Sequence, residues 1–300
     1  RRQRQMCIRD RSIKYMNWKQ TLFWSFSAAA IFYYFLLFGV FVFVGQEEMQ
    51  LFIPEWWYIR EFLFQPGGFC AVAGQWIIQY YRQPMSAVVF HTVLLVGCGF
   101  MVYRILRCFS DKTYLLFLSL LPVLYLVKMS IHGEYLVDGT VGVVLMLLAL
   151  SVSLKVRRAG SIAGYGIAST LFLCGLTGLL SVCYAFLYTL LALLRYKTSR
   201  QRLAASACLI PALFIYLFSG WLGIPVPLSD GWMPEAYLEI QRLPHYYMYR
   251  VWTFFTLSIV GVALFARFVP VIGEKSKWMD RVAPVSYTHL RAHETLRHLV

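Results

Sequence analysis

The chain has 300 residues, of which 59% are hydrophobic, 17% aromatic and only 14% charged, with a mean hydropathy of +0.60. Ordinary soluble domains are about 45–50% apolar and about 25% charged. That contrast excludes a soluble globular protein, a disordered chain and a disulfide-rich secreted fold, and it points to an all-α, polytopic transmembrane helix bundle carrying an unexplained net charge of +14.

Part of that charge sits in two unusual ends. Residues 1–11 read RRQRQMCIRDR, and 285–295 read VSYTHLRAHET. Both resemble in-frame translations of the adapters used in transposon-based sequencing libraries, so 1–11 and 285–300 are expected to be adapter-derived and are set aside from fold reasoning. His289 and His293, spaced like a helical metal pair beside Glu294, are discounted with them. The membrane domain is then 12–284, with Met16 a candidate start, and is expected to be truncated at its C-terminus. The ends carry +4 and +1, leaving +9 for the domain.

A hydrocarbon core of about 30 Å needs about 20 apolar helical residues. In chain order the candidates are Thr21–Val44, Met85–Val102, Thr113–Val127, Leu136–Leu154, Ser161–Leu194, Leu203–Phe218 and Val251–Phe265. None alternates apolar and polar residues as a barrel strand would. Ser161–Leu194 holds no charge and is long enough for two short crossings, with Gly175 and Gly178 at its centre to make a turn. Charge supports the hairpin. Cytoplasmic segments carry excess Lys and Arg. With eight spans and the N-terminus inside, 16 of the 21 basic residues in 12–284 lie in the cytoplasm; with a single crossing there, the count is 10 inside and 11 outside. The expectation is therefore about eight spans in the cytoplasmic (inner) membrane, with the N-terminus in the cytoplasm. The domain charge divides into +13 inside and −4 outside. The excess is a topology signal, and no nucleic-acid partner is implied.

Two outside loops are long. In the first, Pro54 suits a helix start. Phe52, Trp56, Ile59 and Leu63 recur at helical spacing, Pro66-Gly67-Gly68 is a turn signal, and Phe69, Val72, Trp76 and Tyr80 form a second apolar stripe. Gln75, Gln79 and Arg82 lie on a different face. Two amphipathic helices rich in Trp and Tyr are expected in the membrane interface, either sealing the rim of the bundle or forming a substrate site. Nine of the twelve acids in 12–284 face outside. Glu47 and Glu48 follow the first span directly. Asp138, four residues after Glu134, enters the fourth span, where an acid is costly and marks a functional-site hypothesis. The competing reading pairs Asp138 with Lys128 or an outside Arg. His91 reads as a hydrogen-bonded interior histidine, and the cysteines as packing residues with no disulfide framework. No metal ligand set is present in 12–284.

The run QEEMQLF, PGG and QWIIQYYRQP between Gln46 and Pro84 resembles the start of an uncharacterised family of bacterial multi-pass membrane proteins, a domain of unknown function. That resemblance implies no activity. The loop layout is also similar, at fold level, to C-fold membrane glycosyltransferases. This second resemblance implies Glu47 or Glu48 as the catalytic carboxylate, with a divalent metal as the one cofactor; Asp138 joins them as a catalytic candidate on its position in the span alone. On chemical grounds Arg82 or Arg242 is the candidate for holding a lipid diphosphate, and Gln75 and Gln79 of the polar stripe are further substrate-binding candidates.

Three functions follow as expectations. The first is a membrane anchor or assembly component of the cell envelope, with lipids and envelope proteins as partners. The second is a glycosyltransferase using a lipid-linked sugar on the outer face, and the third a transporter. Transport ranks lowest because the spans hold few polar groups at mid-membrane. A reporter fused after Arg202 is expected to read as cytoplasmic, and an outside reading overturns the hairpin.

Overall fold

The structure is a computed structural model that describes residues 2–49, 52–110, 112–132, 135, 137–178, 180–218 and 246–268. The second segment expected as an outside loop, Ser219–Arg250, is described only from Tyr246 onward, so Arg242 lies outside the described residues, as does Glu134. Apart from Arg267 and Phe268, the described residues fall in one unit, Arg1–Ala266; the other unit is Arg267–Val300.

Every regular element among the described residues is helical. The first candidate span of the sequence, Thr21–Val44, is covered by α1 (Arg2–Phe38) and α2 (Val40–Met49), interrupted at Gly39, which sits against the Phe43 ring and the Phe35 carbonyl. Then come α3 (Trp56–Leu63) and α4 (Gly68–Ile78), followed by a short 3-10 turn (Gln79–Arg82). Helix α5 (Pro84–Leu106) opens on a proline whose fixed φ suits a first helical position. Next are α6 (Leu115–Leu118), α7 (Leu120–Met129), α8 (Val137–Ser153), α9 (Ala159–Thr177), α10 (Leu180–Arg195), α11 (Ser199–Ser206), α12 (Leu209–Leu217) and α13 (Tyr246–Phe268). Helical stretches Gln20–Phe38, Pro84–Leu106 and Ala159–Thr177 are long and apolar enough to cross a membrane; Leu115–Met129, Val137–Ser153, Leu180–Arg195 and Thr253–Arg267 are apolar but shorter.

The charge-free stretch Ser161–Leu194 does break at its centre. Gly178 ends α9 at φ 63° and ψ −131°, a conformation closed to residues with a Cβ, and α10 packs back on α9. The Pro66-Gly67-Gly68 turn docks on this break: the Gly67 N–H donates to the Gly175 carbonyl at 3.0 Å. Gly67 is itself left-handed at φ 87°, and a Cβ on Gly68 would lie 1.7 Å from the Phe62 carbonyl oxygen.

Helix α8 is the centre of the bundle. Twelve of its 17 residues are buried, and it touches α4, α5, α9 and α10. Its first half is small or β-branched, so neighbours come close: a Cβ on Gly142 would lie 2.5 Å from Leu180. Here α4 differs from the sequence expectation. Phe69, Trp76 and Tyr80 point outward, while Cys70, Ala71, Gly74, Ile77 and Ile78 form the buried face. Small side chains let two helix axes approach, which a pattern of large apolar residues does not reveal. Helix α3 buries none of its residues.

Gly68→Ala and Gly178→Ala are each expected to cost about 1–3 kcal/mol, through backbone clash and left-handed strain respectively. Gly175→Ala, whose added carbon meets nothing within 4 Å, is expected within about 0.5 kcal/mol of the parent. Thermal unfolding of the full chain in detergent checks all three.

Candidate functional site

The acid that the sequence singles out inside a span becomes the centre of a buried polar cluster. Asp138 occupies the first turn of α8, where the helix dipole favours a negative charge. It is 8% exposed, and its Oδ1 accepts the Gly139 N–H at 2.8 Å. Against it lies Gly74 of α4: a Cβ there would fall 2.6 Å from the Asp138 Cβ. Of the ion pairs offered by the competing reading, the one with Lys128 does not form, and Arg242 lies outside the described residues. Lys128 is exposed in the last turn of α7, and the compensation recorded for Asp138 is backbone N–H at its own helix start.

Around Asp138 the polar groups pair in two sets. The Tyr135 hydroxyl bonds Thr140 Oγ1 at 3.1 Å, and the Tyr135 carbonyl accepts Gln46 Nε2 at 2.8 Å. The Tyr81 hydroxyl and His91 Nε2 lie 2.8 Å apart. The fully buried His91 ring also stacks on Phe43, with centroids 4.2 Å apart. His91 is thus the interior, hydrogen-bonded histidine that its position implies. Gln46 Oε1 and His91 Nδ1 have no hydrogen-bond partner in the structure. Burial, and after it the Asp138 charge, pushes the Cys70 thiol and the Tyr81 hydroxyl well up. Burial raises the Tyr135 hydroxyl likewise. All three therefore stay protonated at neutral pH.

The other expected site residues do not converge on Asp138. Glu47 is half-buried and Glu48 exposed, both in the last turn of α2, where the dipole opposes a carboxylate. Gln75 Oε1 accepts the Tyr58 hydroxyl at 3.1 Å, and Gln79 Nε2 donates to the Phe52 carbonyl at 3.1 Å. These two glutamines strap segment 52–63 onto α4. Arg82 is exposed, and Arg242 lies outside the described residues. Among the described residues no group of three or more His, Cys, Asp or Glu side chains could hold a metal ion, and Cys70, Cys98, Cys108, Cys174, Cys183 and Cys208 are free. Sequence reasoning missed Tyr81, Tyr135 and Gln46. Their one available signal was position, a polar group at the edge of an apolar run.

Tyr81→Phe leaves His91 Nε2 unpaired in a buried site and is expected to cost about 1–3 kcal/mol. A double-mutant cycle with His91→Leu should show coupling, and additive losses in thermal unfolding would break the assigned pair.

No curated protein and no solved structure matches the chain at a significant level. Residues 14–297 match DUF6057, described as a family of unknown function. With nearly the whole length covered, the chain belongs to that family.

Proposed function

We propose that the chain is a multi-pass protein of the cytoplasmic membrane, crossing about eight times with its N-terminus inside, and that it serves as an anchor or assembly component of the cell envelope. The observation that carries this reading is which segments bond to which. Bonds from Gln46 to Tyr135 and from Gly67 to Gly175 join segments that the alternating topology puts outside. Bonds from Gln20 to Tyr103, Arg195 to the Cys108 carbonyl, Tyr196 to the Val156 carbonyl and Gln201 to the Arg157 carbonyl join segments that it puts inside. With a single crossing at Ser161–Leu194, the last three would have to reach across the bilayer. Large apolar side chains left exposed fit the lipid-facing surface: Leu22, Phe26, Leu37 and Phe41 on the first two helices, and Ile210, Leu213 and Leu217 on α12. The Trp56 and Trp57 side chains of α3 fit the outer interface.

An anchor role is favoured over catalysis because Gln75, Gln79 and Asp138 bond within the bundle. The glycosyltransferase reading keeps one observation in its favour. Glu47 and Glu48 stand at the outer end of α2 against its dipole, an arrangement that costs stability.

The full-length protein is expected to resist carbonate extraction and to co-purify with stable envelope partners. Glu47→Gln and Glu48→Gln are expected to leave envelope glycans and lipid-linked sugars unchanged. Altered glycans at unchanged protein level would move the assignment to the transferase.

A further inference from the structure

The end of the bundle opposite the Asp138 cluster carries a concentration of cations that the anchor reading does not use. Lys155, Arg157 and Arg158 fill the loop between α8 and α9, Lys197 lies in the loop between α10 and α11, and Arg200 opens α11; all five are exposed. No acidic residue occurs between Asp138 and Asp230, so nothing nearby in the chain neutralises them.

The two loops are fastened side by side. The Tyr196 hydroxyl donates to the Val156 carbonyl at 2.7 Å, and Gln201 Nε2 donates to the Arg157 carbonyl at 2.7 Å. Arg202 Nε donates to the Tyr196 carbonyl at 2.9 Å, which stiffens the second loop. These bonds use backbone carbonyls and leave the five cationic head groups facing out. Helices α9 and α11 both start here with no acid in the first turn, so their amide ends add to the positive potential. Holding several like charges together is unfavourable unless an anion joins them. Beyond the loops the surface turns apolar within one or two helical turns: Leu203 is 75% exposed and Tyr165 50%. A cationic ledge above an apolar wall matches a molecule with an anionic head and a hydrocarbon tail.

We infer that the paired loops 155–158 and 196–200 form a headgroup site for an anionic phospholipid of the inner leaflet, with its phosphate held by Arg157, Arg158, Lys197 and Arg200. The inference rests on the membrane reading above and adds a lipid partner to it.

The test uses full-length protein in nanodiscs of equal parts phosphatidylcholine and phosphatidylglycerol. Spin-labelled versions of each lipid report which one is immobilised at the protein surface. The parent is expected to prefer phosphatidylglycerol. The variant R157Q/R158Q/K197Q/R200Q is expected to reduce that preference about tenfold. Q201A, which unfastens the loops without removing a charge, is expected to reduce it partly. The outer-end control R60Q/R82Q is expected to keep it. An unchanged preference in the quadruple variant overturns the site, as does an equal loss in the outer-end control. Inorganic phosphate displacing the lipid label as well as added phosphatidylglycerol does would assign the cations to free phosphate and overturn the lipid. Matching thermal midpoints show that the variants are folded. Failure of the membrane reading looks different: the parent would be washed off membranes by carbonate and would show no immobilised lipid of either kind.

Discussion

The contact between Gly74 of α4 and Asp138 of α8 is the constraint around which the described bundle is arranged. Two helix backbones meet there with no room for a methyl group. That closeness draws α4, which the sequence places in an interfacial loop, into contact with the central helix and with α9. It also buries Asp138. A carboxylate removed from water costs several kcal/mol unless something compensates it. Here backbone N–H groups of the helix start supply that compensation.

The two ends of the bundle solve different problems. Near Asp138, polar side chains point inward and pair: Gln46 with Tyr135, Tyr135 with Thr140, Tyr81 with His91. The first two tie α2 to the start of α8, and the third ties the 3-10 turn to α5. At the other end inward bonds from Arg195, Tyr196, Gln201 and Arg202 run to backbone carbonyls, while Lys155, Arg157, Arg158, Lys197 and Arg200 stay exposed. One end is knotted by neutral and acidic groups. The other presents charge.

Two glycine turns link these arrangements. The left-handed Gly67 and Gly178 each permit a sharp reversal, and the reversals touch through the Gly67–Gly175 bond. The hairpin of α9 and α10 therefore reports its position to the α3–α4 segment directly. Gln75 extends the same support to α3 through Tyr58, and Gln79 to the segment before it through Phe52; α3 buries no side chain of its own.

Much of the fold was legible in the chain because its signals are local. Runs of Leu, Val and Phe become helices, Pro84 starts α5, Gly178 ends α9, and the basic loops collect at one end, as composition and spacing require. The two helices of the first long loop were also legible, though their buried face was not. Large residues mark the exposed stripe of α4, while small ones, which carry little pattern, make its contact. Asp138 was legible as an anomaly of position, but its partners were not. Whether Gln75 binds a substrate or Tyr58, and whether Asp138 meets Lys128 or a helix amide, depends on the shape of surfaces far apart in sequence. Periodicity along one helix holds no information about that shape. The sequence alone determined the helices, their turns and the uneven charge of the two ends, since each follows from neighbours within a few residues. Only the tertiary structure decided which glycine meets which turn and which polar group is spent on packing, since those contacts exist only once distant helices are brought within a van der Waals radius.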